Sequence, residues 1–213
     1  MTGKKIIAGK WLSCHHNDQN FCEIIFDAKK GSVNKFNQAT LDELRECINK
    51  IKSENTCKGL LFTSAKDSFI VGADITEFTS LFTHSEDQLK KWLLQTQQLF
   101  CDIEDLNIPT VMAINGICLG GGMELALSAC FRVGSNKAVM GLPETKLGIY
   151  PGWGGTIRLP KILGVDEAIE WIAGGKHYKS DAALKSGALD AVVEPKLLQK
   201  SATELLCQCI EGK

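Results

Sequence analysis

Residues 109 to 124 read Pro109-Thr-Val-Met-Ala-Ile-Asn-Gly-Ile-Cys-Leu-Gly-Gly-Gly-Met-Glu124. Thr110 to Ile114 has the length and β-branching of a buried strand. A short turn leads into the triplet Gly120 to Gly122, and Met123 to Ala129 then reads as helix. The unit is strand, glycine turn, helix, with Glu124 in the helix's first turn. A second carboxylate, Glu144, follows twenty residues later in Gly141-Leu-Pro-Glu144. Glycine lets a backbone approach a ligand closely because no Cβ intervenes. A helix N-terminus presents free N–H groups to negative charge. The stretch therefore reads as an anion-stabilising turn beside two glutamates.

Upstream, Phe21 to Phe26 reads as a strand. A helix follows, capped by Thr40 with Glu43 completing a capping box. Leu41, Leu44, Cys47, Ile48 and Ile51 give it one apolar face. Gly59 to Thr63 is the next strand, which makes a βαβ unit of a length that suits parallel pairing. Phe69 to Val71 reads as a short strand, followed by Gly72 and a helix with Asp74 as its N-cap. This is a second strand–glycine–helix junction. Ser85 opens another helix with Gln88 at the capping-box position. Its expected buried stripe is Leu89, Trp92, Leu93, Thr96, Leu99, Phe100 and Ile103.

Downstream, Cys130 to Val133 and Ala138 to Pro143 read as extended. Gly148 to Thr156 is the most glycine-rich loop, leading into a short helix expected to end before Pro160. A helix from Gly164 to Ala173 should turn Ala168, Ile169 and Ile172 inward. A short helix after Ser180, a strand at Leu189 to Val193 and a helix from Pro195 to about Cys209 complete the chain. No internal repeat or linker is visible. Strands alternating with helices predict an α/β fold with a largely parallel sheet.

The bulk properties exclude several classes. The 213 residues suggest one domain, 44% hydrophobic and 23% charged, with 24 basic against 25 acidic residues. A net charge of -1 does not ask for nucleic acid or an anionic membrane as partner. Nine cysteines, an odd number with no Cys-x-x-Cys, predict reduced thiols in a cytosolic compartment. His15 and His16 are adjacent, so on a strand they point to opposite faces, and no metal-ligand spacing occurs. The N-terminus lacks a signal-peptide core, and no apolar run approaches the ~20 residues of a membrane span. The expectation is a cytoplasmic protein with no membrane span.

Three familiar signatures are absent: Gly-x-Gly-x-x-Gly opening a helix, the P-loop, and the Gly-x-Ser-x-Gly nucleophile elbow. Ser128 reads as an ordinary helix serine. If the two glycine junctions face each other, the N–H groups of Ala73 and Gly121 can clamp one oxygen. An oxyanion donor of that kind is typically worth ~3 kcal/mol. Each signal also has a purely structural reading. Glu124 can complement the helix N-terminus for ~0.3–1 kcal/mol, Glu144 can be a solvated loop carboxylate, and the triplet can serve close helix–strand packing. Only their combination argues for function.

Three segments resemble the crotonase (enoyl-CoA hydratase/isomerase) superfamily. They are Phe69-Ile-Val-Gly-Ala-Asp-Ile-Thr-Glu-Phe, Ala113-Ile-Asn-Gly-Ile-Cys-Leu-Gly-Gly-Gly-Met-Glu-Leu-Ala, and Gly141-Leu-Pro-Glu-Thr-Lys-Leu-Gly-Ile-Tyr-Pro-Gly-Trp-Gly-Gly-Thr. The likeness covers nearly the whole chain and is greatest to the amino-terminal part of multifunctional fatty-acid oxidation subunits. The resemblance implies a crotonase-like spiral of ββα units and hydration of enoyl-CoA thioesters. It implies that the N–H groups of Ala73 and Gly121 hold the thioester oxygen as it becomes an enolate. Glu124 would activate water for attack at the β-carbon, and Glu144 would deliver a proton to the α-carbon. Asp74, Ile75 and Gly120 would border the substrate groove.

The same resemblance implies an acyl-CoA substrate, no cofactor held by this chain, and a thiolase β subunit as partner of the full-length protein. NAD would belong to a dehydrogenase part beyond residue 213. Residues 1–213 are then one domain of a longer chain, with about 195–213 beginning a C-terminal helical segment. Two alternatives stand beside the hydratase. One is a crotonase-fold isomerase or thioester hydrolase; the other is a non-catalytic acyl-CoA-binding or assembly module.

Overall fold

The computed structural model describes residues 3–54, 56–77 and 83–213. A seven-stranded sheet forms the spine, in the order β1 (Gly3–Ala8), β2 (Leu12–Asn17), β3 (Cys22–Phe26), β4 (Leu60–Ser64), β5 (Thr110–Ile114), β7 (Phe131–Ser135), β10 (Ala191–Val193). From β3 to β10 every pairing is parallel, as the alternation of strands and helices predicts. The first two strands add an antiparallel hairpin that the sequence pattern did not disclose. Three short strands make a second sheet: β6 (Ile117–Leu119), β8 (Val139–Gly141) and β9 (Tyr178–Lys179).

The helices are α1 (Gln38–Glu54), α2 (Glu86–Glu104), α3 (Gly121–Ala126), α4 (Gly155–Leu163), α5 (Val165–Gly174), α6 (Ser180–Ser186) and α7 (Leu198–Ile210). After each inner strand the chain makes a short extended contact in the second layer and then turns helical. Thus β3 leads to Phe36 and α1, β4 to Ile70 and the turn at Ile75, β5 to β6 and α3, and β7 to β8 and the 3-10 turn Pro143–Leu147. The second-layer contacts stack in parallel: Phe36 bridges Ala73, Ile70 bridges Cys118, and β6 pairs with β8. The expected strand at Phe69 to Val71 is reduced to that single bridge at Ile70. The helix that follows Asp74 includes Ile75 to Glu77, and residues 78–82 lie outside the described set.

Strand alternation explains the two cores. Leu60, Phe62, Met112 and Ile114 face the main core beneath α1 and α2. Leu61, Val111, Ala113 and Val133 face the other way, onto Leu198, Ala202 and Leu206 of α7. Both faces of the central strands are therefore buried, which is why they read as continuous apolar runs. The helix predicted from Pro195 onward is this α7, preceded by a 3-10 turn at Pro195–Leu197.

Local chemistry corrects the sequence reading at several points. The α1 cap is Asn37, whose Oδ1 accepts from the Thr40 N–H and from the Thr40 hydroxyl, each at 2.8 Å. Thr40 lies inside the helix because Asn37 takes the capping role three residues earlier than expected. Glu43, freed from a capping box, accepts three backbone N–H groups from the β1–β2 turn: Lys10 at 2.8 Å, Trp11 at 2.9 Å and Leu12 at 3.1 Å. The capping box at Ser85 and Gln88 does form. Helix α4 runs through Pro160 to Leu163 rather than stopping before it. Proline only deprives the Thr156 carbonyl of its partner there, and the burial of Arg158 and Leu159 holds the turn. In α5 the inward residues are Ala168 and Trp171; Ile169 is exposed.

Replacing Glu43 by Gln keeps one acceptor oxygen and puts an amide NH2 donor in place of the other, against at least one of the three N–H groups. We expect a loss of about 1.5–3 kcal/mol, read as a lower urea midpoint with unchanged slope. A midpoint equal to that of the parent protein would show that the Glu43 cradle contributes nothing.

Candidate active site

The two glycine junctions lie side by side. A Cβ placed on Gly120 would stand 3.7 Å from the Gly72 Cα. The second-layer hydrogen bonds fix this: Leu119 N–H donates to the Ile70 carbonyl at 3.1 Å, and Gly120 N–H to the Gly141 carbonyl at 3.0 Å. On the other side Phe36 N–H donates to the Gly72 carbonyl at 2.9 Å, and Asp74 N–H to the Phe36 carbonyl at 2.7 Å. Gly72 (φ 121°) and Gly120 (φ 52°) both occupy backbone space that L side chains avoid. Among the hydrogen bonds of the described residues, none uses the N–H of Ala73 or of Gly121 as donor.

Helix α3 is buried along its whole length, so Glu124 is carried inside the protein, with 2% of its surface exposed. Its Oε1 accepts two backbone N–H groups from the glycine-rich loop, Trp153 at 2.7 Å and Gly155 at 2.8 Å. Glu144 sits in the 3-10 turn Pro143–Leu147, 9% exposed. A Cβ on Gly120 would lie 3.3 Å from its Oε1, which places Glu144 directly against the second glycine junction. Its Oε2 is buried and makes no hydrogen bond among the described residues.

Burial pushes both carboxyls upward, Glu124 to about 8 and Glu144 to about 7. For Glu124 the Gly155 and Trp153 N–H groups and the Arg158 charge pull the other way, while Glu144 adds like-charge repulsion. For Glu144 only its own backbone N–H opposes burial. Two acids perturbed toward neutrality within one cleft are the pattern of an acid–base pair.

Ala73, Gly120, Gly121, Glu124, Glu144 and Ile75 all line one cavity of about 700 Å³. Asp74 does not line it. Its carboxylate is taken by the Lys35 ammonium at 2.6 Å and by the Thr76 N–H and hydroxyl, so it caps the turn instead. The Lys35 contact holds the Asp74 carboxyl below the usual carboxylate range. Leu89, Trp92 and Leu93 belong to the apolar stripe of α2, yet they form a cavity wall; the stripe is fully buried only at Thr96, Leu99, Phe100 and Ile103. Ser128 donates to the Leu125 carbonyl at 2.7 Å, away from this chemistry.

Sequence reasoning assigned no role to Trp153, Gly155 or Arg158. The signal present was the glycine density of Gly148 to Thr156, which marks close backbone approach but not what is approached. Here Gly155 closes on Glu124, whose Cγ would lie 3.1 Å from a Cβ at that position.

Residues 16–213 match the enoyl-CoA hydratase/isomerase family. The chain is 51% identical over 208 residues to the fatty acid oxidation complex subunit alpha of Pseudomonas syringae pv. syringae (strain B728a), and equally to that of Pseudomonas aeruginosa (strain LESB58). Each match covers 98% of this chain but 29% of the relative, so the chain spans less than a third of those proteins. Among solved structures, the enoyl-CoA hydratase from Bacillus anthracis is 32% identical with a TM-score of 0.86, over 95% of this chain and 77% of that one. The enoyl-CoA hydratase/isomerase from Cupriavidus metallidurans CH34, 20% identical, shares the fold with a TM-score of 0.89, over 98% and 77%. With the spiral of ββα turns and the family match over nearly its whole length, the chain belongs to the enoyl-CoA hydratase/isomerase family, the crotonase superfamily.

Proposed function

We propose that this chain adds water reversibly to trans-2-enoyl-CoA thioesters, giving 3-hydroxyacyl-CoA in fatty-acid β-oxidation. The observation that carries the reading is one cavity lined by two buried glutamates and by the free N–H groups of two adjoining glycine junctions. The names of the relatives, fatty acid oxidation subunits and an enoyl-CoA hydratase, support it.

The thioester oxygen accepts from the Ala73 and Gly121 N–H groups. As the enolate forms, negative charge gathers on that oxygen, where the two donors stabilise it more than they stabilise the ground state. Glu124 acts ionised: the Trp153 and Gly155 N–H groups hold one oxygen and leave the other to orient water and take its proton. The hydroxide oxygen bonds to the β-carbon. Glu144 acts protonated, because its Oε2 has no donor to stabilise a charge, and it gives its proton to the α-carbon. Burial raises Glu124, to about 8, above Glu144, to about 7, so Glu124 is the harder of the two to ionise at rest. The placing of the charge on Glu124 during the reaction rests on the Trp153 and Gly155 N–H donors and on the bare Glu144 Oε2. Proton exchange with solvent restores both groups.

The addition changes no oxidation state, so its chemistry draws on no hydride carrier. We assign no cofactor to this chain, with coenzyme A entering as part of the substrate. Asp74 acts in this reading through the Ile75 turn it caps, and Ile75 and Gly120 border the substrate. The whole protein is read as a longer cytoplasmic chain that partners a thiolase β subunit, with residues 1–213 as its hydratase domain. All nine cysteines are free thiols, as a reducing compartment requires. No helix among the described residues is long and apolar enough to cross a membrane.

The unpartnered Glu144 Oε2 also favours a secondary activity, proton transfer between the α and γ carbons of an enoyl chain, which needs one carboxyl rather than two.

Glu124→Gln and Glu144→Gln should each lower kcat for crotonyl-CoA hydration by ~10²–10⁴, followed as loss of the conjugated-thioester absorbance. Glu124→Gln should spare double-bond isomerisation while Glu144→Gln abolishes it. Hydration left intact in both variants would refute the two-glutamate mechanism. Acyl-CoA binding by calorimetry with no turnover in the parent would mark a binding module instead.

Stability should move the opposite way. Glu124 titrates near 4.5 when unfolded and near 8 when folded, so the folded state binds more protons between those values. The parent protein therefore loses stability as pH rises through that window. Glu124→Gln removes the penalty, and at pH 8 the variant should unfold later by at least ~1.4 kcal/mol, the worth of one pKa unit. Equal stability of the two proteins at pH 5 and at pH 8 would contradict the burial argument.

A further inference from the structure

Beside the loop that grips Glu124, and lining the same cavity, lies a buried cation that the proposed chemistry does not use. Arg158, on α4, is 5% exposed. Its Nη1 donates to the Trp153 carbonyl at 3.1 Å, its Nε to Glu104 Oε2 at 2.8 Å, and its Nη2 to Cys101 Sγ at 3.3 Å. The loop is shaped around the guanidinium. Gly154 has φ 110°, and a Cβ there would fall 2.0 Å from Nη1. The carbonyl Arg158 holds belongs to the same residue whose N–H donates to Glu124, and Gly155, the other donor, lies three residues before Arg158.

We propose that Arg158 is the positioning residue for Glu124. By clamping the Trp153 carbonyl, it keeps the Trp153 and Gly155 N–H groups converged on Oε1 and so favours the charged form of this carboxylate and keeps it aimed. The proposal rests on the hydratase reading for its consequence in turnover, but not for its effect on Glu124 itself. Four charged or titratable groups bear on the pair. Glu144 faces Glu124 from the 3-10 turn, Glu104 and Cys101 face Arg158 from α2, and Lys161 lines the same cavity one turn along α4. Glu104 is the solvent-facing end, its side chain 41% exposed, and anchors the guanidinium so that its other edge meets the loop. A lysine cannot span Glu104 and the Trp153 carbonyl with a planar fork, so it should restore the charge but not the aim.

The experiment compares parent, Glu124→Gln, Arg158→Gln, Arg158→Lys and Leu159→Ala. Leu159 is a buried neighbour on α4 outside the site, and it reports general loosening of the helix. Two readouts are taken: the titration of the Glu124 carboxyl by NMR with 13Cδ-glutamate, assigned by its loss in Glu124→Gln, and kcat and KM for crotonyl-CoA against pH. In Arg158→Gln the Glu124 midpoint should rise by about one pH unit. The acid limb of kcat should move with it, and kcat should fall ~10²-fold with KM changed far less. Arg158→Lys should restore most of the midpoint and little of kcat, and Leu159→Ala should leave the midpoint in place. An unmoved midpoint in Arg158→Gln, or an equal shift in Leu159→Ala, would overturn the proposal. If Arg158→Gln fails to fold, the split between midpoint and kcat in Arg158→Lys decides in the same way. A parent that does not hydrate crotonyl-CoA would refute the proposed function, while the Glu124 titration would still test the role of Arg158.

Discussion

A Cβ at residue 121 would stand 2.2 Å from the Trp153 ring, and one at residue 122 would stand 2.3 Å from the Ile70 carbonyl oxygen. Only a chain without side chains at both positions lets the first turn of α3 press against the second-layer bridge at Ile70 on one side and the tryptophan on the other. Much of the site follows from that approach. Pressed against Ile70, α3 brings the Gly121 N–H beside Ala73. Pressed against Trp153, it brings Glu124 to the loop N–H groups that hold it. Trp153 is itself fixed by an aromatic cluster, with Phe36, Trp92 and Phe100 at ring centroid distances of 5.6–6.0 Å. The core thereby sets the position of the Trp153 hydrogen bond to Glu124.

The electrostatic arrangement opposes stability in favour of chemistry. Burying two carboxyls in one cavity raises both and sets them against each other. The fold compensates Glu124 through two N–H donors and the nearby Arg158 charge, and Glu144 only through its own backbone N–H. Glu144 receives none on its Oε2. In the proposed mechanism that inequality of hydrogen-bond donors, rather than any difference between the residues, makes Glu124 the base and Glu144 the acid. The α2 stripe shows a similar division. Its second half packs the core, while Leu89, Trp92 and Leu93 keep the same periodicity and line a cavity suited to an acyl chain.

The structural and functional readings of the glycine triplet turn out to be one fact. Close packing of α3 on Ile70 is what sets the Gly121 N–H by the Gly72 junction, where the proposed mechanism uses it as an oxyanion donor. Asp74 went the other way. It reads equally as a cap and as a groove residue, and its carboxylate is used up by Lys35 and Thr76. Glu43 had a single reading, the capping box that its spacing from Thr40 suggests. The three N–H groups of the β1–β2 turn claimed it because a hairpin the periodicity did not reveal was packed against α1.

Local pattern alone determined the central βαβ order, the parallel pairing, the apolar face of α1, the Ser85 capping box and the two glycine junctions. Each depends on neighbours within a few residues, where periodicity and capping chemistry act. Spacing could bring the argument to two carboxylates near an anion site, and motif resemblance named their roles. Tertiary structure alone decided that the junctions touch, that Glu124 is gripped by Trp153 and Gly155, that Arg158 stands beside that grip, and that half of α2 faces a cavity. The grip on Glu124 and the anchoring of Arg158 by Glu104 join residues about 30 to 55 positions apart. They arise from the stacking of successive ββα turns, a spatial repeat with no counterpart in the residue order.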